Sequence, residues 1–279
     1  MLELILSVCI SFILSSIPGL ENGTPNAQIP TFISSTQPYL TSKSSLLFDI
    51  NSQQILYSQN PQEKLPIASL TKLITANIII EEHQLDEVVT IPIEATQIGG
   101  STMYLRAGER ITIENLLKGL LINSANDAAI ALSIHNAETT DQFVEKMNQY
   151  ANQLQMKNSH FANPMGYDSP ENYSTAEDLL KITLKTIQNP TLTNFASIQT
   201  TTVQSIDQTI THNLKNTNLE LANFQQINGL KTGTTNTAGQ CLITTTNSEQ
   251  PQISIIIGSS NRFQDTKTML DWAKNNIKY

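Results

Sequence analysis

An α/β (α+β) core interrupted by an all-helical insertion is the fold class this chain predicts, and three stretches predict it. Strand-like runs stand near one end at Ser45-Leu-Leu-Phe-Asp49 and Gln54–Ser58, and near the other at Gly239–Thr246 and Gln252–Gly258. Between them, about residues 93–190 read as successive helices with apolar positions three and four apart. Strands from both ends enclosing a helical middle are most simply one sheet with an insertion.

In chain order, Leu4 to Ile17 is apolar, the length of an export-signal core and short for a membrane span. Residues 1–20 are therefore expected to be a signal peptide or an N-terminal anchor, although Met1-Leu2-Glu3 lacks the usual positive charge. Residues 21–44, rich in Pro, Gly, Asn, Thr and Ser, read as a linker, and residues 45–279 as one domain. Asn51-Ser52 turns the first hairpin. A buried helix then runs from the Ser69 region to Glu82 or His83, and Val88-Val-Thr-Ile-Pro92 reads as an edge strand because its proline cannot donate to a ladder. Thr112 caps a helix to Ile122, Asn123-Ser-Ala125 breaks it, and Asn126–Ile134 resumes. Asp141–Met156 and Ser174–Ile187 follow, the latter opening on the capping-box spacing Ser174-x-x-Glu177. Asn163-Pro-Met-Gly166 is a turn, Thr200–Ser205 a strand, and Gln264–Ile277 a closing helix that carries the only tryptophan.

Among 279 residues only 14% are charged, the net charge is −8, and no Lys/Arg cluster occurs, which argues against nucleic acid as a partner. Two cysteines, one of them in the leader, make no disulfide framework, so Cys241 reads as a small buried hydrophobe. His83, His135, His160 and His212 are far apart in the chain without ligand spacing, so neither a metal nor another cofactor is expected.

Three short signals carry chemistry: Ser69-x-x-Lys72, Ser124-Ala-Asn126 and Lys231-Thr232-Gly233. Ser69 and Lys72 lie on one helix face, so hydroxyl and amine can meet. A lysine serves as a base only when unprotonated. The positive end of a helix, burial and a second cation at Lys231 all act in that direction. Free N–H groups at the same helix start suit an oxyanion, with the N–H of Ser69 as a natural donor. Gly233 lets the Lys-Thr-Gly backbone approach a substrate closely, and an extended peptide could pair with that edge.

This ordered set resembles the signature of penicillin-binding proteins and class A β-lactamases. With Leu120–Ala129, Phe161–Gly166, Gly229–Thr235, Ala238–Leu242 and Arg262-Phe263 before Leu270-Asp-Trp272, the chain is similar to low-molecular-mass penicillin-binding proteins of the D-alanyl-D-alanine carboxypeptidase type. The resemblance implies an antiparallel sheet flanked by helices, Ser69 as nucleophile, Lys72 as base and Ser124 as proton relay. It also implies Asn126, Lys231, Thr232, Gly233, Thr234 and Arg262 as substrate-binding residues, with the Thr234 N–H completing the oxyanion site and Arg262 gripping a terminal carboxylate. The implied partners are peptidoglycan stem peptides and β-lactams as covalent inhibitors, in the periplasm or at the extracytoplasmic face of the membrane. Membrane association would come through the N-terminal segment only. Ala125 stands where a glycine is common, and Tyr173 where some members have histidine. The chain ends at Tyr279, where many carboxypeptidases of this type continue, which keeps a cross-link-cutting endopeptidase as an alternative. A β-lactamase lacks support because no Glu-x-x-Leu-Asn segment lies between the second and third motifs. A non-catalytic wall-binding protein is disfavoured by the intact Ser69, Lys72, Ser124 and Lys231.

Overall fold

Residues from opposite ends of the chain share one sheet. The computed structural model describes residues 28–34, 36–219 and 227–279, and the expected export segment at 1–20 lies outside them. Within the expected linker, Thr31–Phe32 forms a short strand, β1, and Leu40 is buried. Ser44–Asp49 (β2) and Gln54–Gln59 (β3) make the expected hairpin. Asp49 shapes its turn, accepting from the N–H of Ser52 at 2.7 Å and its hydroxyl at 2.6 Å.

A 3₁₀ turn at Ala68–Thr71 leads into α1, Lys72–Glu82. Lys72 through Ile79 are all buried, so α1 is enclosed on every side, as a helix inside a core should be. Val88–Thr90 (β4) pairs with Arg110–Thr112 (β5) across the short helix α2, Ile93–Thr96. Then come α3 (Ile113–Ile122), α4 (Asn126–Ala137), α5 (Thr140–Gln153), α6 (Ala176–Ile187) and α7 (Pro190–Ser197). Thr112 caps α3 as expected, its hydroxyl accepting from Asn115 N–H. The cap of α6 is Thr175 rather than Ser174, because Thr175 Oγ1 accepts from Asp178 N–H while Ser174 is held by Ser159. Pro190 does not end the helical region. It occupies the first turn of α7, where its missing N–H costs nothing, under an Asn189 cap.

Thr200–Gln204 (β6) pairs with Thr211–Lys215 (β7). Ile227–Thr235 (β8), Gly239–Thr246 (β9) and Gln252–Ser259 (β10) complete the main sheet, in the order β3-β2-β10-β9-β8 with every pair antiparallel. The Lys-Thr-Gly motif thus lies on an edge strand of this sheet. The closing helix α8, Arg262–Asn276, ends in β11, Ile277–Lys278, which pairs with β1.

Alternation along β2 and β10 divides the core. Leu46, Phe48, Ile253, Ile255 and Ile257 point into the large cluster formed with the helical insertion. Leu47 and Ile256 point the other way, onto Met269, Trp272 and Ala273 of α8. The sheet is therefore covered on both faces. Cys241 lies buried in the large cluster, as a small hydrophobe would.

Candidate active site

Ser69 lies in the 3₁₀ turn, and Lys72 is the first residue of α1. Side chains three apart eclipse in a 3₁₀ turn, so the amine stands directly against the hydroxyl. Lys72 Nζ is 2.8 Å from Ser69 Oγ, 2.8 Å from Asn126 Oδ1 and 2.6 Å from the Met165 carbonyl oxygen. Nζ can donate to all three oxygens, and the same 2.8 Å separation lets a neutral amine accept the Ser69 hydroxyl proton instead.

Electrostatics favours the same form. Burial, then the charge of Lys231, hold the Lys72 amine well below its ordinary pKa, against a smaller opposing pull from Asp127. Lys231 is lowered to about 7, by burial and then by Arg262. Neither lysine forms an ion pair with a carboxylate among the described residues, so the charge that burial disfavours has no direct counter-ion.

Two glycines let backbone close around Ser69. A Cβ on Gly166 would sit 2.0 Å from the Ala68 carbonyl oxygen, and φ there is +88°. A Cβ on Gly233 would lie 2.9 Å from both the Ile67 carbonyl oxygen and the Ser69 nitrogen. The missing side chain of Gly233 thus admits the Ser69 turn itself. Ala68, just before Ser69, holds φ at +49°, a strained value for a residue with a Cβ.

Ser124, with φ +57°, occupies the break between α3 and α4. Its hydroxyl receives a hydrogen bond from Lys231 Nζ at 2.8 Å, and Lys231 also donates to the Thr232 carbonyl oxygen at 3.0 Å. Thr232 shares a hydrogen bond with Thr217, hydroxyl to hydroxyl, at 2.6 Å. Asn126, at the start of α4, accepts from Lys72 and donates to the Gly99 carbonyl oxygen at 2.8 Å, so it fixes the position of the Lys72 amine. On β8, Thr234 Oγ1 and the Gly233 carbonyl oxygen both accept from Arg262 Nη1, at 2.6 and 2.9 Å. Arg262 Nε is buried with no hydrogen-bond partner among the described residues.

All nine residues expected at the site thus fall into one connected constellation. Sequence reasoning missed Met165, which acts through a backbone carbonyl and so leaves no residue signature. It also missed Asn163, whose Oδ1 accepts from the N–H groups of Gly166 and Tyr167 and shapes the loop beneath Ser69. Asn-Pro-x-Gly was the available signal, but it reads only as a turn. The histidine reading needs correction too: far apart in sequence, His83 and His135 meet in space, with ring centroids 5.1 Å apart.

A family model described as D-alanyl-D-alanine carboxypeptidase matches residues 31–261. The chain belongs to this D-alanyl-D-alanine carboxypeptidase family. Within it, similarity extends to the D-alanyl-D-alanine endopeptidase of Pseudomonas aeruginosa, 32% identical over 98% of this chain and 86% of that one. The D-alanyl-D-alanine carboxypeptidase DacD of Escherichia coli is 31% identical over 93% of this chain and 69% of its own. Among solved structures, penicillin binding protein 6B from Escherichia coli superposes with a TM-score of 0.79 at 31% identity, over 88% of this chain and 80% of that one. These likenesses, together with the all-antiparallel main sheet, bear out the fold class expected from the resemblance.

Proposed function

We propose that this family member is a serine-type D-alanyl-D-alanine carboxypeptidase that removes the terminal D-alanine of peptidoglycan stem peptides through an acyl-enzyme on Ser69. The observation that carries the proposal is the buried, charge-suppressed Lys72 amine, 2.8 Å from the Ser69 hydroxyl and tied by its two other bonds to Asn126 and Met165.

In this reading the substrate lies extended along the free edge of β8, its terminal carboxylate at Arg262. Ser69 Oγ attacks the carbonyl carbon of the penultimate D-alanine while Lys72 Nζ takes the hydroxyl proton. The oxyanion receives the N–H groups of Ser69 and Thr234. The C–N bond breaks, a proton delivered through Ser124 completes the amine, and free D-alanine leaves. Water then attacks the ester under the same base, returns the proton to Ser69 and releases the shortened peptide. Lys231 holds Ser124 in place and keeps the local field positive. A β-lactam enters the same path as a cyclic amide with a carboxylate at the position Arg262 serves, and stops at the ester. The chemistry needs no cofactor. It belongs on the extracytoplasmic side of the membrane, where peptidoglycan is, with residues 1–20 as signal or anchor. Among the described residues no helix is long and apolar enough to cross a membrane.

A second reading, endopeptidase cleavage of D-alanyl cross-links, draws on the similarity to the Pseudomonas aeruginosa endopeptidase over 98% of this chain. The steps are identical, with a cross-linking amine leaving in place of D-alanine. Incubation with pentapeptide and with purified cross-linked muropeptides, followed by mass identification of products, separates the two. The proposal expects free D-alanine from pentapeptide with cross-links untouched. Cleaved cross-links with intact pentapeptide would replace it with the second reading.

A further inference from the structure

Beyond the reaction machinery, His83, Glu87 and His135 come together at the far end of the helical core. The Glu87 carboxylate bridges the imidazoles: Oε2 lies 2.9 Å from His83 Nδ1, and Oε1 lies 2.8 Å from His135 Nε2. One ligand atom from each of the three side chains falls within a span of 4.8 Å. All three are partly buried, with side chains 15%, 39% and 24% exposed for His83, Glu87 and His135, so the cluster is formed by the fold yet open to solvent.

We infer that His83, Glu87 and His135 form a site for a borderline first-row divalent cation, Zn²⁺ being the natural occupant. Two imidazoles and one carboxylate are a zinc donor set, and a fourth position faces water. With metal–ligand bonds near 2.0–2.1 Å, tetrahedral ligand atoms stand about 3.3 Å apart, so a cluster whose ligand atoms lie within 4.8 Å of one another contracts slightly on loading. Loading requires each imidazole to give up the proton it directs at Glu87, either to its other ring nitrogen or to water. For His83 that other nitrogen faces Asn136 Nδ2 at 2.9 Å, on an amide whose Nδ2 also donates to Glu82 and whose Oδ1 accepts from Lys146, so loading displaces the His83–Asn136 contact.

The position gives the site a purpose. His83 ends α1, Glu87 immediately precedes β4, and His135 lies in the last turn of α4. The opposite ends of α1 and α4 meet where Lys72 bonds Asn126 at 2.8 Å, so the two helices run side by side in the same direction. A cation at their far ends, about 16 Å along α1 from Lys72, clamps the pair that aligns base and asparagine. The inference concerns a structural ion, and it stands whichever peptide bond the enzyme cuts.

Titration of the EDTA-treated full chain with ZnCl₂ by calorimetry tests it, alongside visible absorption on titration with CoCl₂. The expected result is one equivalent of Zn²⁺ per chain and tetrahedral Co²⁺ bands. Removing one imidazole in His135→Gln, or the carboxylate in Glu87→Gln, should weaken binding by at least about 100-fold, while His160→Ala should bind as wild type. At a free zinc concentration 100 times Kd, the wild-type melting midpoint should rise by roughly 5–10 °C and that of His135→Gln should not move. Circular dichroism and penicillin labelling check that each variant is folded. If His135→Gln does not fold, the Glu87→Gln variant carries the same comparison. Absence of stoichiometric Zn²⁺ binding by wild type, or binding unaltered in folded Glu87→Gln or His135→Gln, overturns the site and leaves an ordinary bridged histidine pair.

Discussion

At the scale of single residues, the proposed reaction depends on Lys72 being a free amine. Its pKa is lowered first by burial and then by Lys231, so deprotonation is favoured. The sign for activity follows: acylation by a β-lactam should rise with pH through the folded pKa of Lys72, which lies below the ordinary lysine value of ~10.4. Lys72→Ala should acylate about 10²–10⁴-fold more slowly and lose that pH dependence. Stopped-flow acylation across pH checks both, and an unchanged profile in Lys72→Ala would remove Lys72 as base. Gly166 makes a separate prediction. Alanine there meets the Ala68 carbonyl oxygen at 2.0 Å and inherits φ +88°, so Gly166→Ala should cost roughly 2–5 kcal/mol in urea unfolding and displace Ser69. The contacts of Ser69 with Lys72 and of Lys231 with Ser124 were legible in the sequence because they run between side chains of short motifs. The Met165 carbonyl was not, since any residue could supply it. For Gly233, close approach was legible and the approaching partner was not.

Elements show a different boundary. The hairpin, α1, α3 and β9 were readable because each carries its own signal, whether apolar periodicity, a threonine cap or β-branched content. β7 was overlooked because Thr211–Lys215 has Leu214 as its one apolar residue, and pairing with β6 makes it a strand. His212, on β7, has the more consequential contacts. Its Nε2 meets Glu109 Oε1 at 2.7 Å and its Nδ1 meets the Met103 carbonyl oxygen at 2.7 Å, tying β7 to the segment before β5. Burial alone would lower the His212 pKa, but the hydrogen bond and charge of Glu109 outweigh it and the net shift is upward. A raised folded pKa contributes stability that is fully present below the unfolded value of ~6.5 and is lost as pH rises through the folded value. Chemical denaturation across that window should show stability falling with pH in wild type and a flatter dependence in His212→Gln. An equal slope in both would assign the pH dependence elsewhere.

At the scale of the whole molecule, contacts across long sequence separations set the architecture, and these were the least legible. The fold class could be read because strands stood at both chain ends. The pairing of β1 with β11, from one end of the described chain to the other, could not, because two-residue strands carry no periodicity. The meeting of His83 with His135 is likewise a product of helix packing. Trp272 fastens the two chain ends. Its ring packs on Phe32 and Tyr57, and its indole N–H donates to the Thr36 carbonyl oxygen at 2.6 Å. Trp272→Ala should therefore cost about 3–5 kcal/mol in chemical unfolding, and a loss below about 1 kcal/mol would show that this corner is dispensable.

The covalent step itself is the most direct test of the account. Wild-type protein incubated with benzylpenicillin should gain one intact drug mass by mass spectrometry, and digestion should place it on Ser69. Ser69→Ala should gain none. An adduct on any other residue, or equal labelling of Ser69→Ala, would contradict the nucleophile assigned from the Ser69–Lys72 geometry.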